Sequence, residues 1–284
     1  MVGMVVAWAP AARAGVELTT ELADVTEAAT AQSRPPNPGK MLLDGNRLRM
    51  EMTRQDGSDA VLIFRGDRNV MWSVNEKRRT YTEVDRARMQ EMVAQSDATR
   101  KQMEKEFDKV PPEKRAEMLR MLAQGAPKKK REPPTIKPTG RTDKVGGIPC
   151  HEVEVVRNDE KLREVCVADW KAAGITKGDL GALRDLNGFE DDTVGALGGR
   201  AQDDALELFE QLDGLPVRVR TFRGGKPRTE LRVVKVERKA IDAKSFEVPE
   251  GYTKREFKIN MPGARHHPPG TAGSVGGTLP PGTK

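Results

Sequence analysis

Short runs of alternating apolar and polar residues, separated by turn residues, fill the first part of the 284-residue chain. The clearest run is residues 47–52, in which Leu48, Met50 and Met52 alternate with charged residues. A period of two is typical of a β-strand with one buried and one solvated face. Turn sequences rich in Asp, Gly and Asn lie on both sides of this run. The pattern therefore predicts antiparallel strands joined by short turns.

Further runs of the same kind make the predicted sheet large. They lie at residues 16–22, 60–64, 69–74, 79–84, 135–145, 150–156, 162–167, 217–222 and 229–236. A sheet with so many strands twists and does not stay flat. If it curls around the helices that interrupt it, its apolar face becomes buried. The sequence predicts the α+β class: a curved antiparallel sheet, an open half-barrel, with helical insertions packed on its concave side.

The first helical insertion is predicted at about residues 85–124. Residues 85–110 contain no Pro or Gly and carry a sparse apolar stripe. Two prolines then end this helix and begin another, on which Met118 and Met121 belong to a compact apolar face.

The second helical insertion is predicted at about residues 176–213. Thr176 and Asp179 resemble a capping box at its start. Residues 203–213 are predicted to form its last helix, which ends at Gly214.

The chain has only two cysteines, Cys150 and Cys166, and both lie in one predicted hairpin. If residues 157–159 form a three-residue loop, the two face each other with Cα atoms about 4.5–5.5 Å apart, which a disulfide tolerates. A two-residue loop would place the thiols on opposite faces of the sheet. The hairpin alone leaves open a disulfide or two reduced, buried thiols. A metal site is not expected, because two thiols without a nearby His pair make only half a zinc site.

Residues 1–14 resemble a secretory signal peptide, possessing an apolar run that ends in the small-x-small sequence Ala12-Arg13-Ala14. The run is short and lacks a basic start, as in a truncated signal. Export would bring the chain into an oxidising compartment, which favours the disulfide. We expect a periplasmic or extracellular protein whose mature chain begins at Gly15.

The remaining chain is predicted to form a single domain over residues 15–257. Residues 258–284 are rich in Gly and Pro and are predicted to be disordered. No run approaches the roughly 20 consecutive apolar residues of a transmembrane helix, so no transmembrane segment is expected.

The net charge of +6 is small for a chain with 32% charged residues. The one dense basic run, residues 128–131, lies among prolines and has no aromatic residues interleaved with it. Aromatic stacking platforms are typical of proteins that bind single-stranded nucleic acid. We interpret the run as a solvated linker and expect no nucleic-acid partner.

Catalytic signatures are absent from the sequence, which contains no nucleophile elbow, zinc-protease motif, P-loop or dinucleotide fingerprint. His151 adjoins Cys150, but a disulfide-bonded sulfur cannot attack a substrate, and neighbouring strand residues point to opposite faces. The acidic run at residues 190–192 lacks the spaced ligands of a calcium loop. We therefore expect a non-enzymatic protein without a cofactor or a metal.

Five segments in a fixed order give the chain a resemblance to a known family. They are GNRLRME at residues 45–51, GIPCHEVEV at 147–155, EVCVAD at 164–169, GLPV at 214–217 and FEVPEGY at 246–252. The chain resembles an exported bacterial family known only as a domain of unknown function, similar in layout to the half-barrel envelope proteins of the LolA, LolB and RseB type. The resemblance implies a curved sheet whose concave face, partly closed by helices, accepts acyl chains.

Alternation along the strands also predicts one apolar face that lines the concave side. Its predicted members are Leu48, Met50, Met52, Val61, Ile63, Val70, Trp72, Tyr81, Met118 and Met121. Flexible methionines suit such a surface, although ordinary core packing is the favoured explanation of them. Two functions stay open. The protein binds a lipid, a lipoprotein acyl chain or another apolar ligand, or it is a filled scaffold that binds or senses a protein partner in the cell envelope.

Overall fold

The computed structural model describes residues 14–32, 34–53, 59–107, 133–190 and 211–256. The expected signal peptide, except for Ala14, lies outside these ranges, as do the helix with Met118 and Met121 and the whole Gly/Pro-rich tail. Residues 203–210 of the last predicted helix also lie outside them.

The described residues form twelve strands and three α-helices. The strands are β1 (Gly15–Asp24), β2 (Asn37–Asp44), β3 (Arg47–Thr53), β4 (Asp59–Arg65), β5 (Val70–Asn75), β6 (Thr80–Asp85), β7 (Thr135–Val145), β8 (Ile148–Arg157), β9 (Glu160–Ala168), β10 (Leu215–Arg223), β11 (Lys226–Lys239) and β12 (Thr253–Arg255). The helices are α1 (Glu27–Ala31), α2 (Arg86–Phe107) and α3 (Gly181–Glu190).

All twelve strands belong to one open sheet in the order β12-β6-β5-β4-β3-β2-β1-β11-β10-β9-β8-β7. Each neighbouring pair is antiparallel except β12 and β6, which are parallel. The sheet consists of two meanders, β1–β6 and β7–β11, which meet where β1 pairs with β11. The predicted antiparallel sheet is confirmed.

The sheet coils strongly at its β7 end. In a flat sheet, four strand spacings of about 4.8 Å would separate β7 from β11. Instead, Gly146 in the β7–β8 turn reaches β11, where a Cβ built on Gly146 would lie 2.8 Å from the carbonyl oxygens of Val233 and Val234. Gly146 also has a φ of +55°, so the position favours glycine on both counts.

The register of β2 to β5 gives the sheet two apolar faces. Leu43, Leu48 and Phe64 are cross-strand partners on one face, which we call the helix face because α3 packs there. Ile63 and Trp72 are partners on the opposite face, which we call the strap face. Both faces of this half of the sheet are therefore buried in part.

Helix α3 covers one end of the helix face. Leu183, Leu186 and Phe189 of α3 are almost fully buried in the same cluster as Leu48 and Phe64. The Phe189 and Phe64 rings lie 5.6 Å apart between centroids in a tilted arrangement, a favourable aromatic geometry.

The predicted capping box is present before α3. The backbone N–H and the hydroxyl of Thr176 donate to the Asp179 carboxylate at 2.7 and 2.8 Å. The segment that follows is first a short 3-10 helix, Lys177–Leu180, and becomes α3 at Gly181. The cap thus fixes where the chain turns back onto the sheet.

The first predicted helix is present as α2, which begins one residue later than expected and is described as far as Phe107. Met89 in its first turns is 1% exposed and packs beside Val84. Met89 therefore attaches the start of α2 to the helix face.

The cysteine hairpin has a different register from the predicted one. Its turn contains only two residues, Asn158 and Asp159, both with positive φ. Such a turn alone would separate the thiols onto opposite faces, but a bulge in the ladder beside Val155 and Val156 shifts the register by one more residue. Turn and bulge together keep both thiols on one face. The expected direct pairing of the cysteines is nevertheless wrong, because the register is displaced by two residues.

The disulfide between Cys150 and Cys166 is nevertheless formed, with Cα atoms 5.5 Å apart. Cys166 pairs with Glu152, two residues beyond Cys150 on the same face, so the bridge runs diagonally between β8 and β9. Both cysteines are buried: Cys150 is 6% exposed and Cys166 is 0% exposed.

Candidate functional site

An apolar row crosses five adjacent strands on the helix face. Its residues are cross-strand partners in sequence: Val236 on β11, Leu18 on β1, Met41 on β2, Met50 on β3 and Leu62 on β4. Neighbouring strands lie about 4.8 Å apart, so the apolar row is roughly 19 Å long. The row is long enough to contact an extended apolar chain over roughly 19 Å.

The apolar row is only half covered. Leu18 is buried, whereas Val236, Met41, Met50 and Leu62 are partly exposed and pack against the buried cluster from one side. In the next row towards α3, Val16, Leu43, Leu48 and Phe64 are all buried. The apolar row is therefore the margin at which the filled part of the helix face gives way to solvent.

Met52 extends this surface by one more row. It is 42% exposed, more than any other large apolar side chain that the structure describes. Its cross-strand partners are Gly39 and Ala60, which are too small to cover a methionine. Alternation along β3 places Met52 on the helix face, but the sequence did not show that its strand partners would be small.

The residues of the predicted binding face fall into two groups. Leu48, Met50 and Met52 lie on the helix face, as the alternation of β3 requires. The other described members pack on the strap face: Val61, Ile63, Val70, Trp72 and Tyr81. The expectation that all share one face is wrong. Met50 pairs with Leu62, so Val61 and Ile63 point to the other side.

Met118 and Met121 lie outside the described residues. Whether any of the ten residues binds a ligand stays a prediction.

A strap, residues 240–252, covers the strap face. Phe246 is fully buried among Ile63, Trp72 and Val74, and Val248 and Tyr252 pack beside it. Asp242 caps the short 3-10 helix that presents Phe246, accepting a 3.0 Å hydrogen bond from the Lys244 N–H. Phe246, Val248 and Tyr252 all belong to the FEVPEGY segment. Their apolar character is the sequence signal from which this packing could have been predicted.

Ion pairs hold the strap on the sheet. Arg65, 7% exposed, pairs with Glu247 of the strap and with Asp67. The hydrogen bond from Arg65 holds the pKa of Asp67 below its ordinary value. Farther along, Tyr252 donates a hydrogen bond to Glu76, which raises the pKa of the tyrosine.

A groove of about 530 Å³ lies beside the strap at the open ends of β2, β3 and β4. Its lining residues are Pro38, Gly39, Lys40, Arg49, Glu51, Met52, Thr53, Asp59, Val61 and Glu76. Pockets are common candidates for binding sites, but in this groove Lys40 and Arg49 both form ion pairs with Glu51.

Arg49 is the centre of this charge network. It contacts Glu51 at 2.5 Å and Glu76 at 3.7 Å, and it donates to the Ser245 carbonyl oxygen at 3.3 Å. Burial raises the pKa of the Glu51 carboxyl, but hydrogen bonds from Arg49 and Lys40 outweigh it and lower the pKa overall. A carboxylate held ionised in this way suits a structural ion pair better than general-acid work.

Among the described residues, no group of three or more His, Cys, Asp or Glu side chains is arranged to hold a metal ion. In the same part of the chain, no helix has both the length and the apolar character needed to cross a bilayer.

Comparison with known proteins identifies one family model. A domain of unknown function, DUF4412, matches residues 104–252. This match confirms the predicted membership in a family without an assigned function. No curated protein matches the chain.

Solved structures with a similar arrangement include two of the protein MucB. The complex of MucA and MucB from Pseudomonas aeruginosa is 7% identical, with a TM-score of 0.37, over 84% of this chain and 56% of that one. A crystal structure of MucB is 9% identical, with a TM-score of 0.36, over 85% of this chain and 59% of that one. This chain thus spans less than two thirds of the length of either.

Proposed function

Because the chain belongs to the DUF4412 family, a domain family of unknown function, we propose a function from its site: it is a non-enzymatic protein that binds a flexible apolar chain, such as a lipid acyl chain, along the apolar row. The half-covered state of Met41, Met50 and Leu62 carries this proposal. These side chains lie at the margin of a densely packed core and keep one side available for contact with a ligand.

The chemistry of the surface favours an acyl chain over a charged ligand. Thr20, Gly39, Met52, Ala60 and Asn75 form the row beyond the apolar row, and all are uncharged. Methionine side chains are flexible and polarizable, and they adapt to chains without a fixed shape. The surface therefore offers contact area without ionic selectivity.

We also propose that the sheet is concave and that the protein is exported. The coiling of the sheet at Gly146 supports a half-barrel whose concave side is the helix face. The disulfide between Cys150 and Cys166 supports residence in the periplasm or outside the cell, because disulfides persist in oxidising compartments.

A protein partner in the cell envelope is the second candidate. The packing of Leu183, Leu186 and Phe189 against Leu48 and Phe64 favours it, because it fills one end of the helix face in the manner of a scaffold. Such a partner would present an apolar segment to the same apolar row.

The test uses the neutral fluorescent probe N-phenyl-1-naphthylamine with the purified chain, followed by displacement with palmitate. We expect Met50→Lys and Met52→Lys to weaken probe binding about tenfold or more, since each brings a charge into apolar surface; tenfold corresponds to about 1.4 kcal/mol. Thr53→Lys is the matched control, because it adds the same charge next to Met52 on the opposite face.

Equal probe binding by all three variants and the parent chain would contradict a site on the apolar row. Probe binding without displacement by palmitate would instead favour the protein partner. Native mass spectrometry and lipid extraction of protein purified from its own compartment would identify a bound acyl chain directly.

A further inference from the structure

The described methionines of the helix face form a series of increasing exposure. Met89 is 1% exposed, Met41, Met50 and Met71 are partly buried, and Met52 is 42% exposed. Susceptibility of a side chain to an oxidant follows its exposure. The series therefore predicts a ranking in reactivity, with Met52 first and Met89 last.

The 42% exposure of Met52 gives an oxidant access to its side chain. Its partner on β2, Gly39, has no side chain that could cover it. On the other side, Ala60 contributes only a methyl group. Met50, two residues earlier on the same face, pairs instead with Met41 and Leu62.

We propose that Met52 is a modification site, at which oxidation to methionine sulfoxide by peroxide weakens the binding of apolar chains. This inference rests on the proposed function, because the oxidised residue adjoins the apolar row. Oxidation would thus regulate the surface without requiring a conformational change.

The chemistry is a two-electron oxygen transfer. The sulfur attacks one oxygen of hydrogen peroxide, the O–O bond breaks, and the S–O bond of the sulfoxide forms. The sulfur loses two electrons, and the other peroxide oxygen leaves as water after proton transfer. The product side chain is polar and accepts hydrogen bonds, and methionine sulfoxide reductases reverse the change.

The position of Met52 determines the consequence for binding. An apolar ligand that covers Met50 and extends to the open end of the sheet must also cover Met52, their side chains being two residues apart on one strand face. A sulfoxide there would have to give up its hydration when the ligand binds, without gaining a hydrogen bond from an acyl chain.

The experiment treats the purified full chain with dilute hydrogen peroxide and follows each methionine by peptide mass mapping. We expect Met52 to form sulfoxide at least tenfold faster than Met89. Binding of N-phenyl-1-naphthylamine should weaken in parallel and recover after treatment with a methionine sulfoxide reductase.

Two variants separate Met52 from the other methionines. Each variant is compared with itself, as the ratio of its probe affinity before and after peroxide. In Met52→Leu this ratio should fall close to one, because the oxidisable sulfur at this position is gone. Met71→Leu, a partly buried methionine on the same face, should keep the effect. The variants leave the charge and the fold of the strand unchanged.

The proposal is overturned if Met52 reacts no faster than Met89, or if Met52→Leu stays as sensitive to peroxide as the parent. If the unoxidised chain binds neither probe nor palmitate, the proposed function itself fails, and the regulatory role fails with it. A normal affinity before oxidation together with an unaltered affinity after oxidation of Met52 overturns the regulatory role alone.

Discussion

The guanidinium of Arg47 lies over the ring of Phe246, 5.0 Å from its centroid. Arg47 begins β3 in the first half of the chain, whereas Phe246 lies in the strap near the end of the described residues. The contact joins the two segments GNRLRME and FEVPEGY. Two of the five segments that carry the family resemblance are therefore in direct contact in the fold.

Phe246→Ala should destabilise the fold by about 3–5 kcal/mol, because it empties a fully buried aromatic site. Denaturant unfolding measures the change in the free energy of unfolding. Lys244→Ala, at an exposed position of the same strap, is the control and should change stability little. A loss below about 1 kcal/mol for Phe246→Ala would mean that the strap contributes little to the fold.

Trp72→Ala should also cost about 3–5 kcal/mol, and it should leave the affinity for apolar probes nearly unchanged. Trp72 is 8% exposed and packs on the strap face, opposite the apolar row. Trp72→Phe keeps most of the apolar contact and loses only the 2.8 Å hydrogen bond to Glu83, so we expect a smaller loss. A large change in probe affinity with normal stability would place the binding site on the strap face instead.

Removing the disulfide by replacing Cys150 and Cys166 together with Ser should lower stability by about 3 kcal/mol in the chain-entropy model. The bridge closes a loop with a sequence separation of 16 residues. Thiol titration of the denatured parent chain should detect no free cysteine. Two titratable thiols in protein taken from its native compartment would show that the bridge is not formed there.

Removing β12 should expose the edge of β6 and cause self-association. β12 pairs with Thr80, Tyr81 and Thr82, and Lys254 forms an ion pair with Glu83. An uncovered edge strand offers unpaired backbone groups to another chain. Light scattering should show concentration-dependent association of a chain ending at Tyr252 but not of one ending at Glu256. Equal masses for the two truncated chains would contradict this role of β12.

The Glu83 carboxylate should contribute to the pH dependence of stability. Hydrogen bonds from Lys254 and then from Trp72 lower its pKa in the folded chain below the ordinary 4.5. A lowered folded pKa means that this contribution is complete above pH 4.5 and disappears as the pH falls through the folded pKa.

Glu83→Gln should therefore reduce stability at pH 7, by less than about 1 kcal/mol for so exposed an ion pair, and should flatten the decline below pH 4.5. Unfolding at a series of pH values measures both effects. Glu256→Gln, an exposed residue, is the control. An unaltered acid decline in Glu83→Gln would contradict the assignment.

Alternation predicted ten of the twelve strands that the structure describes, because each of these carries its own pattern. It missed β2 and β12, in which apolar and polar residues do not alternate. Along β3, apolar side chains lie on one face and polar side chains on the other, as the alternation predicts. β7 has the predicted bounds, Thr135 to Val145. The pairing between strands was harder to predict from the sequence. Whether Met50 faces Leu62 or Ile63 depends on the length of a turn, and one residue decides which face each side chain joins.

Bulges and distant partners also exceeded what the sequence could predict. The bulge beside Val155 and Val156 leaves no mark in a run of valines, although it decides how the two cysteines approach each other. Likewise, the burial of Phe246 depends on strands distant in the chain. Within the candidate site, the exposure of Met52 follows from Gly39 and Ala60, which are its neighbours only after the strands have paired.

The pairing of β1 with β11 sets an order of assembly that differs from the order of synthesis. Each meander can form from neighbouring hairpins, but β1 waits for a partner on one side until residues 226–239 are available. Non-local pairing of this kind slows folding. β11 and the strap that follows it then secure the first meander in two places, along β1 and across the strap face, so segments made late complete the strands that were made first.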